Sequence, residues 1–395
     1  MVQDNLKDAG LVLTAPVRTA IGAFGGALKD VSPLDLGAAV IAAAVQRAGI
    51  RKEDVDRGIF GEIIQTTERG NPAREAALRA GLPVETAAYT VNINCGSGLL
   101  AVRMAALEVM GGEAQVVVAG GMESMSTAPF LAPDVRWGRR LGHAGLLDSL
   151  HSIAIGGMGQ AVEKLAEKLH ISREDQDAFA LESHAKAVRA WNEGRFADEV
   201  VPVTVPQRKG DPVVFARDES PRPDTNLARL AKLPPVFKEG GRLTAGNSSP
   251  LNDGAAALLV ARRAVAERLG ITPLARILAF GASGCDPDMM GLAPAAASRM
   301  ALQKAGLSVQ DIALIELNEA FAAQSLAVIR ELGLPREKTN VNGGAIAIGH
   351  PVGASGARIL VTLLHELRRR KARYGLATLC IGGGQGIAAV VEAIY

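Results

Sequence analysis

The sequence predicts an α/β fold made of two similar halves, and two observations carry that expectation. The first is composition: of 395 residues, 48% are apolar but only 4% aromatic, and glycine occurs 44 times. A core of Ala, Val, Leu and Ile with many close backbone approaches suits packed sheets and helices. The second is a repeated order of elements. A β-type run at Tyr89-Thr-Val-Asn leads to Cys95-Gly-Ser-Gly, an apolar helix, the strand Val116-Val-Val-Ala and Gly120-Gly121. Far downstream, Thr339-Asn-Val-Asn leads through a Gly-rich turn to Gly353-Ala-Ser-Gly356, a helix, the strand Leu376-Ala-Thr-Leu-Cys380 and Gly382-Gly-Gly. Any α/β protein repeats strand–helix units. The matched Ser-Gly turns are what point to a duplication whose halves meet across the middle.

Between the two repeats the chemistry changes. Residues 161–245 contain 28 charged residues in 85, a third of the segment, against 21% for the whole chain. A peripheral layer is expected there. It opens with Ser172-Arg-Glu-Asp175 as a capping box, continues through Phe179, Leu181, Ala185, Val188 and Trp191, and stops at Gly194. Beyond it Pro202, Pro206, Pro212, Pro221, Pro223, Pro234 and Pro235 break the chain into short surface segments.

Charge and cysteine content narrow the function classes. The formal net charge is +2, which gives no electrostatic footprint for nucleic acid or an anionic membrane. No apolar run reaches the roughly 18 residues needed to span a bilayer. The opening MVQDNLKDAG carries Asp4 and Asp8 and lacks an apolar stretch, so neither a secretory signal nor a transit peptide is expected, and the ending EAIY is no peroxisomal address. Cys95, Cys285 and Cys380 are too few for a disulfide framework, and none forms a C-x-x-C pair. A reducing cytoplasm is the expected compartment.

Cys95 is the most informative residue. It stands between a strand and an apolar helix starting near Ser97, whose N-terminal dipole is expected to lower the thiol pKa and make Cys95 a nucleophile. A lone free cysteine is otherwise a small inert hydrophobe. A nucleophile needs a base, and His350 lies in a loop where glycine is too frequent for a plain strand or helix. Cys380 ends a strand before Gly382-Gly-Gly-Gln-Gly386, where backbone approaches a ligand, and suits a proton donor and acceptor. Asn318-Glu-Ala-Phe321 opens a helix, so Asn318 reads as an N-cap or as a site residue. Cys285 is read as structural.

These residues carry a family resemblance. Cys95-Gly-Ser-Gly, Gly120-Gly-Met-Glu-Ser124, Thr244-Ala-Gly-Asn-Ser-Ser249 with Asn252-Asp-Gly, Asn318-Glu-Ala-Phe321, Gly349-His-Pro-Val-Gly353 and Cys380-Ile-Gly-Gly-Gly together resemble the thiolases, most closely the biosynthetic acetyl-CoA acetyltransferases. The similarity runs from Arg18-Thr-Ala-Ile-Gly to the C-terminus. It implies two βαβαβαββ halves in a five-layer αβαβα arrangement: residues 1–122 plus 246–272, then 273–395, with an inserted loop domain over 123–245. It also implies that Cys95 takes the acyl group from acyl-CoA, while His350 deprotonates Cys95 and, with a water held by Asn318, steadies the thioester oxyanion. Cys380 would remove an α-proton from a second acetyl-CoA, and the N–H groups of Cys95 and Gly382 would hold the second oxyanion. By the same resemblance Arg222, Ala245 and Ser249 contact CoA, Met158 covers the acyl end, and Met290 and Phe321 wall its pocket. No metal or cofactor beyond the CoA substrates is implied, and a homotetramer or homodimer is, with Ser124–Arg140 in the subunit-bridging loop. Two rival readings stay open: a degradative 3-ketoacyl-CoA thiolase of broader chain length, and a non-catalytic CoA-binding protein.

The chain also departs from the family pattern, mostly around the substrate lining. Gly157 stands where biosynthetic members carry His before Met158-Gly159, and Ser149–Gly156 differs from the usual form, leaving His151 as a candidate for the same space. Gln160-Ala-Val-Glu163, Asn94 in place of an apolar residue, Leu100 in place of Gln and Pro234 in place of a basic residue complete the set.

Overall fold

The computed structural model describes residues 6–7, 9–65, 70–133, 135–139, 141–143, 145–151 and 157–395. In the first half, strand β1 (Leu11–Thr19) is followed by helix α1 (Pro33–Ala48), β2 (Arg57–Gly61), α2 (Pro72–Arg79), β3 (Ala87–Val91), α3 (Ser97–Gly111) and β4 (Val116–Ser124). The chain then leaves to form α4 (Met158–Lys168) and α5 (Arg173–Asn192) and returns as β5 (Asn252–Arg262). The second half runs β6 (Ala275–Gly284), α6 (Ala293–Ala305), β7 (Leu314–Leu317), α7 (Ala322–Leu332), α8 (Val352–Arg370), β8 (Tyr374–Ile381) and β9 (Gln385–Ala393).

The duplication is visible in strand order. The long sheet reads β7-β8-β9-β6-β1-β5-β4-β2-β3, with the halves joined where Val12 and Leu13 pair with Arg276 and Ala275. In the first half β2 pairs in parallel with β3 and β4, and β4 pairs antiparallel with β5, which pairs antiparallel with β1. The second half repeats every one of these relations: β7 is parallel to β8, and β8–β9 and β9–β6 are antiparallel. Its counterpart of β3 is a single parallel bridge, Ile315 to Thr339. The strand expected at Thr339–Asn342 is therefore reduced to one bridge. The reason is Asn340, whose backbone is left-handed (φ 45°) and whose side-chain amide replaces a ladder rung. Its Oδ1 accepts from Leu317 N–H at 2.8 Å and its Nδ2 donates to Leu317 O at 2.7 Å.

Three apolar clusters separate five layers. One lies under α1 and α2, one under α6 and α7, and the central one surrounds α3 and α8. The repeated Ser-Gly turns are where these two central helices touch. A Cβ on Gly98 would lie 2.8 Å from the Ala357 nitrogen, and one on Gly356 would lie 2.5 Å from the Leu99 nitrogen. Burying an uncharged stripe of both helices at such close range forces each N-terminus into the molecular interior.

Local signals behave as their chemistry dictates. Ser172 Oγ accepts from Asp175 N–H at 3.0 Å to start α5, and Gly194 (φ 69°) follows its end. Two readings need correction. The strand β4 continues through Gly120-Gly121 to Ser124, because a side chain at either glycine would strike the Ala256 or Gly353 carbonyl. Asn318 is not a helix cap: α7 starts at Ala322 after Phe321, and Asn318 stands in the turn before it.

Candidate active site

Cys95 lies more than two hundred residues before His350 and Cys380 along the chain, yet all three line one inner cavity of about 70 Å³. Cys95 is delivered by the turn before α3. Ser97 wires that turn, its Oγ accepting from Ile93 N–H at 2.9 Å and donating to Asn94 O at 2.6 Å. Cys380 lies inside β8, opposite Gly386 of β9. His350 precedes α8 and is held from both sides: its N–H donates to Asn252 Oδ1 at 2.9 Å, and Gly353 N–H donates to Glu123 Oε2 at 2.9 Å.

The ring of His350 has an assignable tautomer. Ser355 Oγ donates its single proton to Pro351 O at 2.9 Å, so at 2.6 Å from Nδ1 the same oxygen acts as an acceptor. Nδ1 then carries the ring proton and Nε2 is left as the free base. Nε2 is buried with no hydrogen-bond partner among the described residues. Asn318 is alike in this: fully buried, with neither end of its amide bonded among the described residues. Buried polar groups left open in this way are costly unless a ligand uses them.

Burial sets the protonation states. It pushes the Cys95 thiol up to about 11, against the Gly382 and Cys95 backbone N–H groups that favour the thiolate. Burial, with neighbouring Cys95 acting in the same sense, raises Cys380 further. Burial also pulls His350 down to about 3, helped by the charge of Arg358. The expectation that a helix dipole lowers the Cys95 pKa is thus not met, since desolvation of a thiolate at 4% exposure outweighs the N-terminal field. At rest the site is two thiols and a neutral imidazole. Thiolate forms only as its proton moves to a base.

A second cleft of about 550 Å³ adjoins the inner one, sharing Pro250 and Leu251 with it. Arg222, Arg229, Asp224, Ala245 and Phe24 line it, so it is wide and carries charged side chains among apolar ones where the inner cavity is narrow and mostly apolar. Of the expected substrate residues, Met158, Ser249, Met290 and Phe321 line the inner cavity, and Arg222 and Ala245 the outer cleft. Gly382 approaches Met158 so closely that a Cβ there would lie 2.8 Å from its sulfur. His151 is exposed and lines neither cavity. Residues 152–156 of the altered loop lie outside the described residues. Gly157 adopts φ 85°, a conformation a histidine would occupy only under strain. Cys285 is exposed rather than packed in a core.

Sequence reading missed several lining residues. Phe237 stacks edge-on against Phe321 (centroids 5.8 Å, 80°) and rests on Gly159, where any Cβ would enter its ring. It sits in the proline-broken stretch, which carries no periodicity that could have marked it. Ser248 lies inside the Thr244–Ser249 motif and Leu251 precedes Asn252-Asp-Gly, while Ser355, which touches His350 rather than the cavity, belongs to the Ser-Gly repeat itself. Among the described residues no helix is long and apolar enough to cross a membrane, and no three His, Cys, Asp or Glu side chains are grouped to hold a metal ion.

Comparison with known proteins identifies the family and the fold. The family model "Thiolase, N-terminal domain" matches residues 11–264, and "Thiolase, C-terminal domain" matches residues 271–393. The chain is 52% identical to an acetyl-CoA acetyltransferase of Pseudomonas aeruginosa, covering 96% of this chain and 98% of the relative. It is 50% identical to that of Chromobacterium violaceum, covering 97% and 99%. The crystal structure of the Bacillus anthracis acetyl-CoA acetyltransferase superimposes with a TM-score of 0.95 at 46% identity, over 98% of this chain and 99% of that one. Human mitochondrial 3-ketoacyl-CoA thiolase does so with a TM-score of 0.95 at 45% identity and the same coverage. Matched over nearly its whole length by both family models, with two thiols and an imidazole around one cavity, the chain belongs to the thiolase family.

Proposed function

We propose that this chain is an acyl-CoA C-acyltransferase that joins two acetyl-CoA molecules to acetoacetyl-CoA, or cleaves the product, through an acyl group carried on Cys95. The observation that carries the reading is the meeting of Cys95, His350 and Cys380 on one small cavity behind a wide cleft bearing Arg222 and Arg229. A long polar carrier with phosphates suits the outer cleft, and a short acyl group suits the inner one. The relatives named acetyl-CoA acetyltransferase support the substrate.

The proton movements balance within the site. Cys95 attacks the thioester carbonyl as its proton passes to His350 Nε2, and the departing CoA sulfur takes the proton of Cys380. The acyl group is now on Cys95, His350 is charged and Cys380 is a thiolate. Cys380 then removes the α-proton of a second acetyl-CoA, and the carbanion attacks the acyl carbon. Cys95 leaves and recovers its proton from His350. Each charge thus arises only with a partner, which fits a cavity that favours neutral thiols and a neutral imidazole at rest. The N–H groups of Cys95 and Gly382 are the donors for one oxyanion, and His350 with Asn318 for the other, the latter through a water on Asn318. Such preorganised donors are each worth about 2.7–4 kcal/mol.

Residues 1–122 with 246–272 and 273–395 supply the catalytic halves, and 123–245 supplies the CoA-facing cover, including Met158, Arg222 and Ala245. The exposed Phe130, Trp137, Leu141 and Leu146 on that cover support a homodimer or homotetramer, and the three unpaired cysteines support a cytoplasmic setting. Mass spectrometry of the protein mixed with acetyl-CoA tests the core of the reading: an acetyl group on Cys95 together with acetoacetyl-CoA in solution is expected. A protein that binds acetyl-CoA without acquiring the group would be a binding module instead. Rates on acetoacetyl-CoA against longer 3-ketoacyl-CoA substrates decide the chain length, with preference for the four-carbon substrate expected.

A further inference from the structure

Asn94, immediately before the nucleophile, departs from the apolar residue expected at that place, and the structure gives it unusual company. It holds a left-handed backbone (φ 55°), and its N–H donates to Asn92 Oδ1 at 3.0 Å, a local side-chain turn that suits asparagine. Its Nδ2 crosses from the first half to the second and donates to Gly382 O at 3.1 Å. The two residues after Gly382 are also glycines with positive φ (89° and 82°), so no side chain of the turn itself restrains that carbonyl. Gly382 thus sits against the nucleophile turn, its neighbour Ile381 packing so closely on Gly96 that a Cβ there would lie 2.4 Å from the isoleucine, and its N–H favours the Cys95 thiolate.

From this we infer that Asn94 is a positioning residue: it clamps the Gly382 carbonyl so that the Gly382 N–H stays aimed at the Cys95 sulfur and at the acyl oxygen that replaces its proton-bearing partner during transfer. The tether joins the nucleophile turn directly to the donor turn. The inference rests on the acyl-transfer reading above, because only that reading gives the Gly382 N–H a charge to meet.

The test compares wild type with Asn94→Gly, which tolerates the left-handed backbone, and Asn94→Asp, which keeps shape and turn but replaces the amide donor by a carboxylate. Loss of one hydrogen bond that orients a donor is expected to lower kcat for acetoacetyl-CoA cleavage about three- to tenfold, with KM for CoA unchanged within twofold. The same variants should shift the pH at which iodoacetamide alkylates Cys95 upward, since a less well-aimed N–H stabilises the thiolate less. Unchanged kcat and alkylation profile in Asn94→Gly would overturn the inference. A lower melting temperature with reduced kcat but an unmoved alkylation profile would also overturn it, by assigning Asn94 a purely structural role. Should Asn94→Gly not fold, the same two readouts on Asn94→Asp decide. Wild type that takes no acetyl group on Cys95 would sink the functional reading itself, whereas normal acylation in wild type with indifferent variants would sink only the role of Asn94.

Discussion

Replacing Ser355 by Ala removes one oxygen, 2.6 Å from His350 Nδ1, and leaves both cysteines untouched. The serine is completely buried and its proton is committed to Pro351 O at 2.9 Å, so its remaining role is to accept from the imidazole. Without it the Nδ1–H has no partner in a ring that is only 5% exposed. The loss is felt most by the imidazolium that forms as Nε2 takes the Cys95 proton, because a hydrogen bond from a charged group contributes about 1.5–3 kcal/mol against about 0.5–1.5 kcal/mol for a neutral one. Moving the neutral ring's proton to Nε2 gives no relief, since Nε2 has no partner among the described residues either. Acylation is then slowed by the difference of about 1–1.5 kcal/mol, or roughly 5- to 13-fold in rate. Stopped-flow measurement of CoA release during Cys95 acetylation reads this directly, with thermal melting alongside to exclude unfolding. Acylation within twofold of wild type, in a protein that melts normally, would refute the tautomer assignment and with it the role of Nε2 as base.

Other expectations concern the remaining groups. Cys95→Ala should abolish acetylation of the enzyme. Cys380→Ser should retain slow, detectable acetylation of Cys95 while losing carbon–carbon bond formation by several orders of magnitude; equal loss of both steps would mean the two thiols are misassigned. Because burial holds His350 near 3 rather than the ordinary 6.5, kcat/KM should show no acid limb near pH 6.5. Stability gives the matching sign: as pH falls from 6.5 towards 3 the unfolded histidine gains a proton that the folded one refuses, so stability is lost on acidification. Glu123 and Glu316, raised by burial to about 7 and 8, work oppositely, so comparing melting of His350→Asn and wild type between pH 7 and 5 isolates the histidine; an identical pH slope in both proteins would contradict its depressed pKa. Gly98→Ala should cost about 1–3 kcal/mol of stability, since its methyl would meet the Ala357 nitrogen at 2.8 Å across the α3–α8 contact. Unaltered melting would mean that these helices are not the rigid centre of the fold.

Much of this protein was legible in the linear chain because local chemistry is sequence-local. The Ser172 cap, the glycine stops and the repeated Ser-Gly turns each act within one or two turns of backbone, so the duplicated α/β plan and the charged insert could be read directly. Cys95, His350 and Cys380 could be named because each stands at a junction where glycine permits close approach. Three other matters lay beyond that range. The rung at Thr339 shrank because the Asn340 amide satisfies both Leu317 backbone groups from outside the strand, a pairing between residues 23 apart. Phe237 enters the acyl wall because Gly159, on a helix distant in sequence, leaves room for its ring. The protonation of the site was decided last, since desolvation depends on everything packed around a group. The residues alone singled out which atoms to propose as nucleophile and base; only the packed interior determined that they rest uncharged, because the cost of a buried charge belongs to the surroundings and not to the side chain.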